Sequence, residues 1–158
     1  MTILPAEDAD FGTLNEARLV RGLPVADGGV APAPVMEMLR ELARKIGGGF
    51  SPPAWWIVDG GEIVGLCSIT AGPSEEGAID IGYGVAAGRQ GRGAATRAVS
   101  EILAWARLRE DLTAVTAETS VSNPASQRVL ERNGFTRIGT RTDPEDGELI
   151  CWRASVSA

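Results

Sequence analysis

The sequence predicts an α+β domain: a mixed, mostly antiparallel twisted sheet of about six to seven strands, about four helices and one parallel strand–helix–strand crossover. Three observations predict it. Ala78–Val85 alternates strictly, with Ile79, Ile81, Tyr83 and Val85 on one face and Asp80, Gly82 and Gly84 on the other. It then hands over through glycines to a helical period at Ala95, Ala98, Val99, Ile102 and Ala106, and Thr113–Val121 alternates again, completing a right-handed parallel unit. Asp59-Gly60-Gly61 lies between two apolar runs, which signals an antiparallel hairpin.

In chain order, Met1–Leu4 reads as a short edge strand before an acidic turn at Glu7, Asp8 and Asp10. Asp10–Val20 reads as a helix with Phe11, Leu14 and Ala17 inward, and Gly22–Pro34, rich in Gly, Pro and Ala, as a loop. Pro32 and Pro34 introduce a clearer helix whose stripe is Val35, Met38, Leu39, Leu42 and Ile46; Gly47-Gly48-Gly49 ends it. Trp55–Val58 and Glu62–Thr70 are the hairpin arms, with the Trp55-Trp56 pair split between core and rim. The loop 71–77 leads into the Ala78 strand, a further antiparallel partner. A helix over about 91–109 precedes the Thr113 strand. Asn123 is a good N-cap and Pro124 suits the first helical position; that helix runs to about Asn133, buries Val129 and Leu130, and stops at Gly134. Phe135–Thr142 and Glu148–Val156 form a last hairpin about Asp143–Gly147. Neither repeats nor a composition shift divide residues 1–158, so one domain is expected.

Hydrophobic residues make up 44% and charged residues 23%, the composition of a soluble globular chain. No apolar run approaches the ~20 residues of a membrane span, and MTILPAEDADF lacks a basic signal-like region, so a cytoplasmic protein is expected. Cys67 and Cys151 each sit in an apolar strand-like run and read as buried free thiols. The net charge is −6 and Lys45 is the only lysine, which argues against nucleic acid and for a cationic or amine partner. There is no histidine, which removes His triads, His metal sites and His general bases together; no metal is expected. Proton chemistry is left to carboxylates, Tyr83, thiols, hydroxyls, water or substrate.

The junction after Val85 offers unpaired backbone N–H groups and the positive end of a helix dipole, a site for anions and phosphates above all. A Walker A loop is ruled out because no lysine follows Lys45. A Rossmann fingerprint started at Gly91 reaches Gly93 but fails at Thr96, and one crossover is too little for a doubly wound sheet. Gln90-Gly91-Arg92-Gly93-Ala94-Ala95 matches the acyl-CoA loop pattern Q/R-x-x-G-x-G/A. With IGYGV (81–85), QGRGAATRAV (90–99), AETSVSNPASQRVLERNGF (117–135) and the strand pair about Asp59-Gly60, the whole chain resembles the GNAT N-acetyltransferases. It is most similar to the branch containing the ribosomal-protein N-terminal acetyltransferases.

The resemblance implies acetyl-CoA as acyl donor and a primary amine as acceptor, either a protein N-terminus or a small molecule, in a monomer or homodimer. It places the pyrophosphate on backbone amides of the loop Gln90, Gly91, Arg92, Gly93, Ala94, Ala95 and Thr96. It implies main-chain pairing of the pantetheine arm with the strand at Val85, a wall at Gly82 and Gly84, and a contact from Asn123. Arg89 and Arg92 are either 3′-phosphate contacts or solvated loop residues. Many members protonate the leaving thiolate with a tyrosine on the second crossover helix, which this chain lacks; Ser126, from N-P-A-S, is the implied replacement. Tyr83 reads as structural. The base is left open among Asp80, Glu118 and Glu145, the last by its distance from N-P-x-S. The missing tyrosine also admits a second reading, a non-catalytic acyl-CoA-binding sensor or regulatory module.

Overall fold

The computed structural model describes residues 2–157. In chain order the elements are β1 (Ile3–Pro5), α1 (Asp8–Ala17), β2 (Leu19–Val20), β3 (Leu23–Pro24), α2 (Ala33–Gly47), β4 (Ala54–Asp59), β5 (Glu62–Ala71) and β6 (Ala78–Val85). They continue as α3 (Ala94–Arg107), β7 (Ala114–Ser120), α4 (Pro124–Arg132), β8 (Thr136–Asp143) and β9 (Gly147–Ser155). Seven strands form one sheet in the order β1-β4-β5-β6-β7-β9-β8, with β2 and β3 as a separate small ladder. Every pairing in the large sheet is antiparallel except β6 with β7. This is the α+β class expected. Among the described residues no helix is long and apolar enough to cross a membrane.

The β4–β5 turn closes because Gly60 and Gly61 take φ of 59° and 77°, as a type I′ turn requires at both central residues. On one face of the sheet α3 and α4 cover Cys67, Ile69, Ile79, Ile81, Val115, Ala117 and Trp152. Val99, Ile102 and Leu103 of α3 are fully or almost fully buried there, each contributing roughly 1.5–3 kcal/mol. On the other face α1 and α2 cover β4 and β5: Phe11 meets Trp56 at a ring separation of 4.9 Å, and Met36 and Ala43 lie in the same cluster. Gly65 lets β5 lie close to β6, since a Cβ there would collide with the Gly84 carbonyl.

Several expectations need correction. Helix α1 starts at Asp8 and stops at Ala17, because Arg18 takes a left-handed φ of 54° and its N–H bonds Leu14 and Thr13 carbonyls; Ala17 is exposed. The expected loop 22–34 contains β3 and the start of α2. The buried edge of α2 is rotated: Met36 and Ala43 are its buried residues, while Val35 and Met38 are 38% and 61% exposed. Packing of α1 against its Met36–Arg40 side draws that edge inward. Trp55 and Trp56 are both core, one toward each helical layer, and neither is a rim residue. Cys67 is buried but Cys151 only half so, and both thiols are free. The expected edge strand is Ile3–Pro5; Met1, which the expectation included, lies outside the described residues.

Candidate active site

The parallel pair is short. Ala78–Ile81 pairs with Ala114–Ala117 and no further. Beyond it β6 stays with β5 to the pair Gly65↔Val85, and β7 stays with β9 to Ser120↔Leu149. Between these diverging ends the sheet opens. Ala86 N–H bonds Val64 O at 2.7 Å on the β5 side, so strand alternation turns the Val85 backbone groups to the open edge. There the Val85 carbonyl accepts a hydrogen bond from Gln90 Nε2 at 3.1 Å.

A cavity of about 400 Å³ occupies the opening. Tyr83, Gly84 and Val85 line it from β6; Arg89, Gln90, Gly91, Gly93, Ala94, Ala95 and Thr96 from the loop and first turn of α3. Asn123, Ala125, Ser126, Arg128, Val129 and Arg132 line it from the α4 side. Asn133 Nδ2 donates to Thr96 O at 3.2 Å and clamps the end of α4 to the start of α3. Arg92 is exposed and absent from the lining.

Gly91 and Gly93 have φ of 79° and 77°, which L-residues adopt at a cost, and this turns the chain sharply into α3. Gly93 is the N-cap, so no side chain caps the amides of Ala94, Ala95 and Thr96. Those amides and the dipole of a 14-residue helix stand at one end of the cavity. Gly84 supplies a wall with no side chain, and a Cβ there would meet nothing within 4 Å. The protein carries −6 overall, yet three arginines face this cavity. Arg89 is ion-paired with Glu62, whereas Arg128 and Arg132, one helical turn apart, form no ion pair among the described residues.

At the other end, Asn123 Oδ1 accepts from the Ser126 amide at 3.2 Å and caps α4. Ser126 Oγ donates to the Tyr83 hydroxyl at 3.0 Å, and Tyr83 donates in turn to the Ser126 carbonyl at 2.9 Å. Burial pushes the Tyr83 phenol up to about 12, so it stays protonated.

The three carboxylates sit differently. Asp80 lies on the face of Gly82 and Gly84, one residue before the strands part; it accepts from Thr70 Oγ1 at 2.5 Å and Thr116 Oγ1 at 2.7 Å. Burial raises its pKa above the usual carboxylate range despite those two bonds. Glu118 is held by Arg141, whose hydrogen bonds keep its pKa below the ordinary value, so its charge is already neutralised. Glu145 is exposed on the β8–β9 turn, outside the cavity lining, where Asp143 caps its amide at 3.0 Å. Arg128 and Arg132 escaped the sequence reading, and Tyr83, read there as structural, lines the cavity. The arginines carry a signal in their i, i+4 spacing on one helix face; Tyr83 carries none, because its position reads as core.

Comparison with known proteins agrees with this layout. Residues 2–136 match the family described as Acetyltransferase (GNAT) domain. An uncharacterized N-acetyltransferase of Bacillus subtilis (strain 168), YjdG, is 34% identical over 98 residues, which is 61% of this chain and 58% of that protein. The match thus spans little more than half the length of that relative. Among solved structures, RimL, a ribosomal L7/L12 alpha-N-protein acetyltransferase in complex with coenzyme A, aligns with a TM-score of 0.73 at 18% identity over 98% of this chain and 94% of that one. AAC(6')-Ib in complex with paromomycin and acetyl-CoA aligns with a TM-score of 0.69 at 20% identity, covering 98% and 92%.

Proposed function

Because the chain belongs to the acetyltransferase (GNAT) domain family, we propose that it moves an acetyl group from acetyl-CoA directly to a primary amine, both substrates being bound together. The observation that carries this reading is the split between β6 and β7, with uncapped helix amides at one end and unpaired arginines beside it. An anionic, elongated donor fits such a slot: phosphates on the amides of Ala94–Thr96 with Gly91 and Gly93 permitting close approach, an extended amide-bearing arm along Val85 and Gly84. Arg128 and Arg132 add cations on the α4 side, where the loop's Arg89 is engaged by Glu62 and Arg92 lies outside the lining.

Asp80 is the carboxylate best suited to take the amine proton. It sits at the split on the face opposite Tyr83, so an amine arriving there meets it while the donor arrives from the α4 side. Burial makes it a stronger base than a surface carboxylate, whereas Glu118 is weakened by Arg141. The chain's residues then bring amine and thioester together, supply much of the rate by proximity, and offer the inward backbone amide at Val85 to polarise the carbonyl. The acceptors named for the solved neighbours are a protein N-terminus and paromomycin, and both classes belong in the assay. Mixing the protein, acetyl-CoA and a panel of peptides and small amines should release free CoA thiol. Failure to bind acetyl-CoA by calorimetry would overturn the proposal.

A further inference from the structure

We infer that Tyr83 and Ser126 act as one proton-delivering pair, with Ser126 at the leaving sulfur and Tyr83 working through it. The inference rests on the acetyltransferase reading, in which the resemblance already implies Ser126 as the acid, and adds Tyr83 as the residue that positions and reprotonates it.

Tyr83 occupies the apolar face of β6, with Ile79 and Ile81. Those two are covered because β7 runs beside them. Past Ile81 there is no β7 neighbour, so the ring borders the cavity and its hydroxyl meets the first turn of α4. Two hydrogen bonds join it to a single residue: one from Ser126 Oγ at 3.0 Å, one to the Ser126 carbonyl at 2.9 Å. Asn123 fixes the same residue through its amide. Ser126 is thus held at three points while the residue, half-buried, lines the cavity. A serine needed only to start a helix would require none of this, since Asn123 already caps α4.

The proton path needs only rotation of two hydroxyls whose oxygens are already in contact. As the amine nitrogen bonds to the thioester carbon and the carbon–sulfur bond breaks, the sulfur takes the proton of Ser126 Oγ. Ser126 takes the phenolic proton of Tyr83. The phenolate recovers one from water, and the amine nitrogen gives one up, so no net proton is consumed. The α4 dipole favours the negative charge that passes through this turn. Burial keeps the phenol protonated until the transfer.

Tyr83 is the only tyrosine in the chain, so it can be watched alone. With tyrosine isotope-labelled at its phenolic carbon, CoA should shift the single resonance, and CoA lacking its sulfur should shift it much less. Ser126→Ala should abolish the difference. In turnover, Tyr83→Phe keeps the ring and should lower kcat about 100-fold, with KM and Kd for acetyl-CoA within about twofold. Ser126→Ala should do the same, and the double variant should be no worse than the weaker single. If Tyr83 only braces α4, Tyr83→Phe will instead lower Tm and raise KM with kcat unchanged, and the pair is refuted. An equal resonance shift with both CoA forms also refutes it, leaving the transferase reading intact. Absence of CoA binding overturns both.

Discussion

Replacing Gly93 by valine tests the donor loop most directly. Gly93 has a φ of 77° and caps α3. A β-branched residue there bears the left-handed penalty of roughly 1–2 kcal/mol. Its Cβ would stand 3.0 Å from Arg97 Nη1, the far end of a side chain held by Asp59 and the Arg92 carbonyl. That contact relaxes by moving the guanidinium, so stability should fall by about 1–2 kcal/mol, or about 2–8 °C in Tm for a chain of this size. The effect on binding is larger. Relief of the φ strain turns the amides of Ala94 and Ala95 away from the cavity. Two hydrogen bonds to a charged group, at about 1.5 kcal/mol or more each, are then lost, weakening acetyl-CoA on the order of 100-fold. Calorimetric titration and a thermal melt on the same sample separate the two effects. Gly88→Ala is the control, since its Cβ would meet nothing and its φ is not left-handed; both readouts should stay at the original values. Should Gly93→Val melt early yet bind acetyl-CoA normally, the phosphates do not lie on this loop.

Three further outcomes follow from the same geometry. Asp80→Asn should lower kcat strongly while leaving Tm equal or higher: its folded pKa is raised, so the charged form weakens the fold increasingly as pH rises past the unfolded value, and the neutral amide removes that cost. In the original protein the acidic limb of the rate profile should sit above the usual carboxylate range. Asp10 behaves in the opposite sense. Its burial is outweighed by Arg21, the Glu7 amide and Trp56, which together lower its pKa, so its stabilisation is present above the unfolded pKa and lost as pH falls through the folded one. Asp10→Asn should cost on the order of 2 kcal/mol at neutral pH, less than a fully buried pair because Arg21 is 35% exposed, and should flatten the acid limb of the melting curve. Replacing Arg128 and Arg132 together by glutamine should weaken acetyl-CoA and reduce the salt dependence of its binding, with Tm unchanged; undiminished affinity would remove them from the donor site.

Alternation and turn chemistry make most of the sheet legible in the sequence. Ile79 and Ile81 are buried and Asp80 half-exposed as the period of two requires, and the Asp-Gly-Gly turn lies where it was expected. What escaped depends on neighbours. Arg18 ends α1 without a glycine, because its N–H finds helix carbonyls in the left-handed conformation. The buried edge of α2 is chosen by α1 beside it, and amphipathic spacing carries no record of that. Tyr83 shows the limit most clearly. Its place in an alternating strand marks it as core, and only the departure of β7 turns that face into a cavity wall. Of the carboxylates, pattern matching offered three as equals. Arg141 and two threonines distinguish Glu118 from Asp80, and neither partnership lies in local sequence.

The four-residue reach of the parallel pair has one more consequence. Past Ile81 the inward N–H and C=O groups of β6 lack a neighbouring strand, and a sheet in that condition is an incomplete object. A ligand whose own amides run along the gap would finish it, acting as an eighth, non-covalent strand. Resistance to unfolding then becomes a function of ligand concentration, rising by RT ln(1 + [L]/Kd). The gain should be distributed unevenly. Slowed amide exchange at Tyr83 and Val85 on adding CoA, with Ile79 and Ile81 unaltered, would show the small molecule serving as part of the architecture.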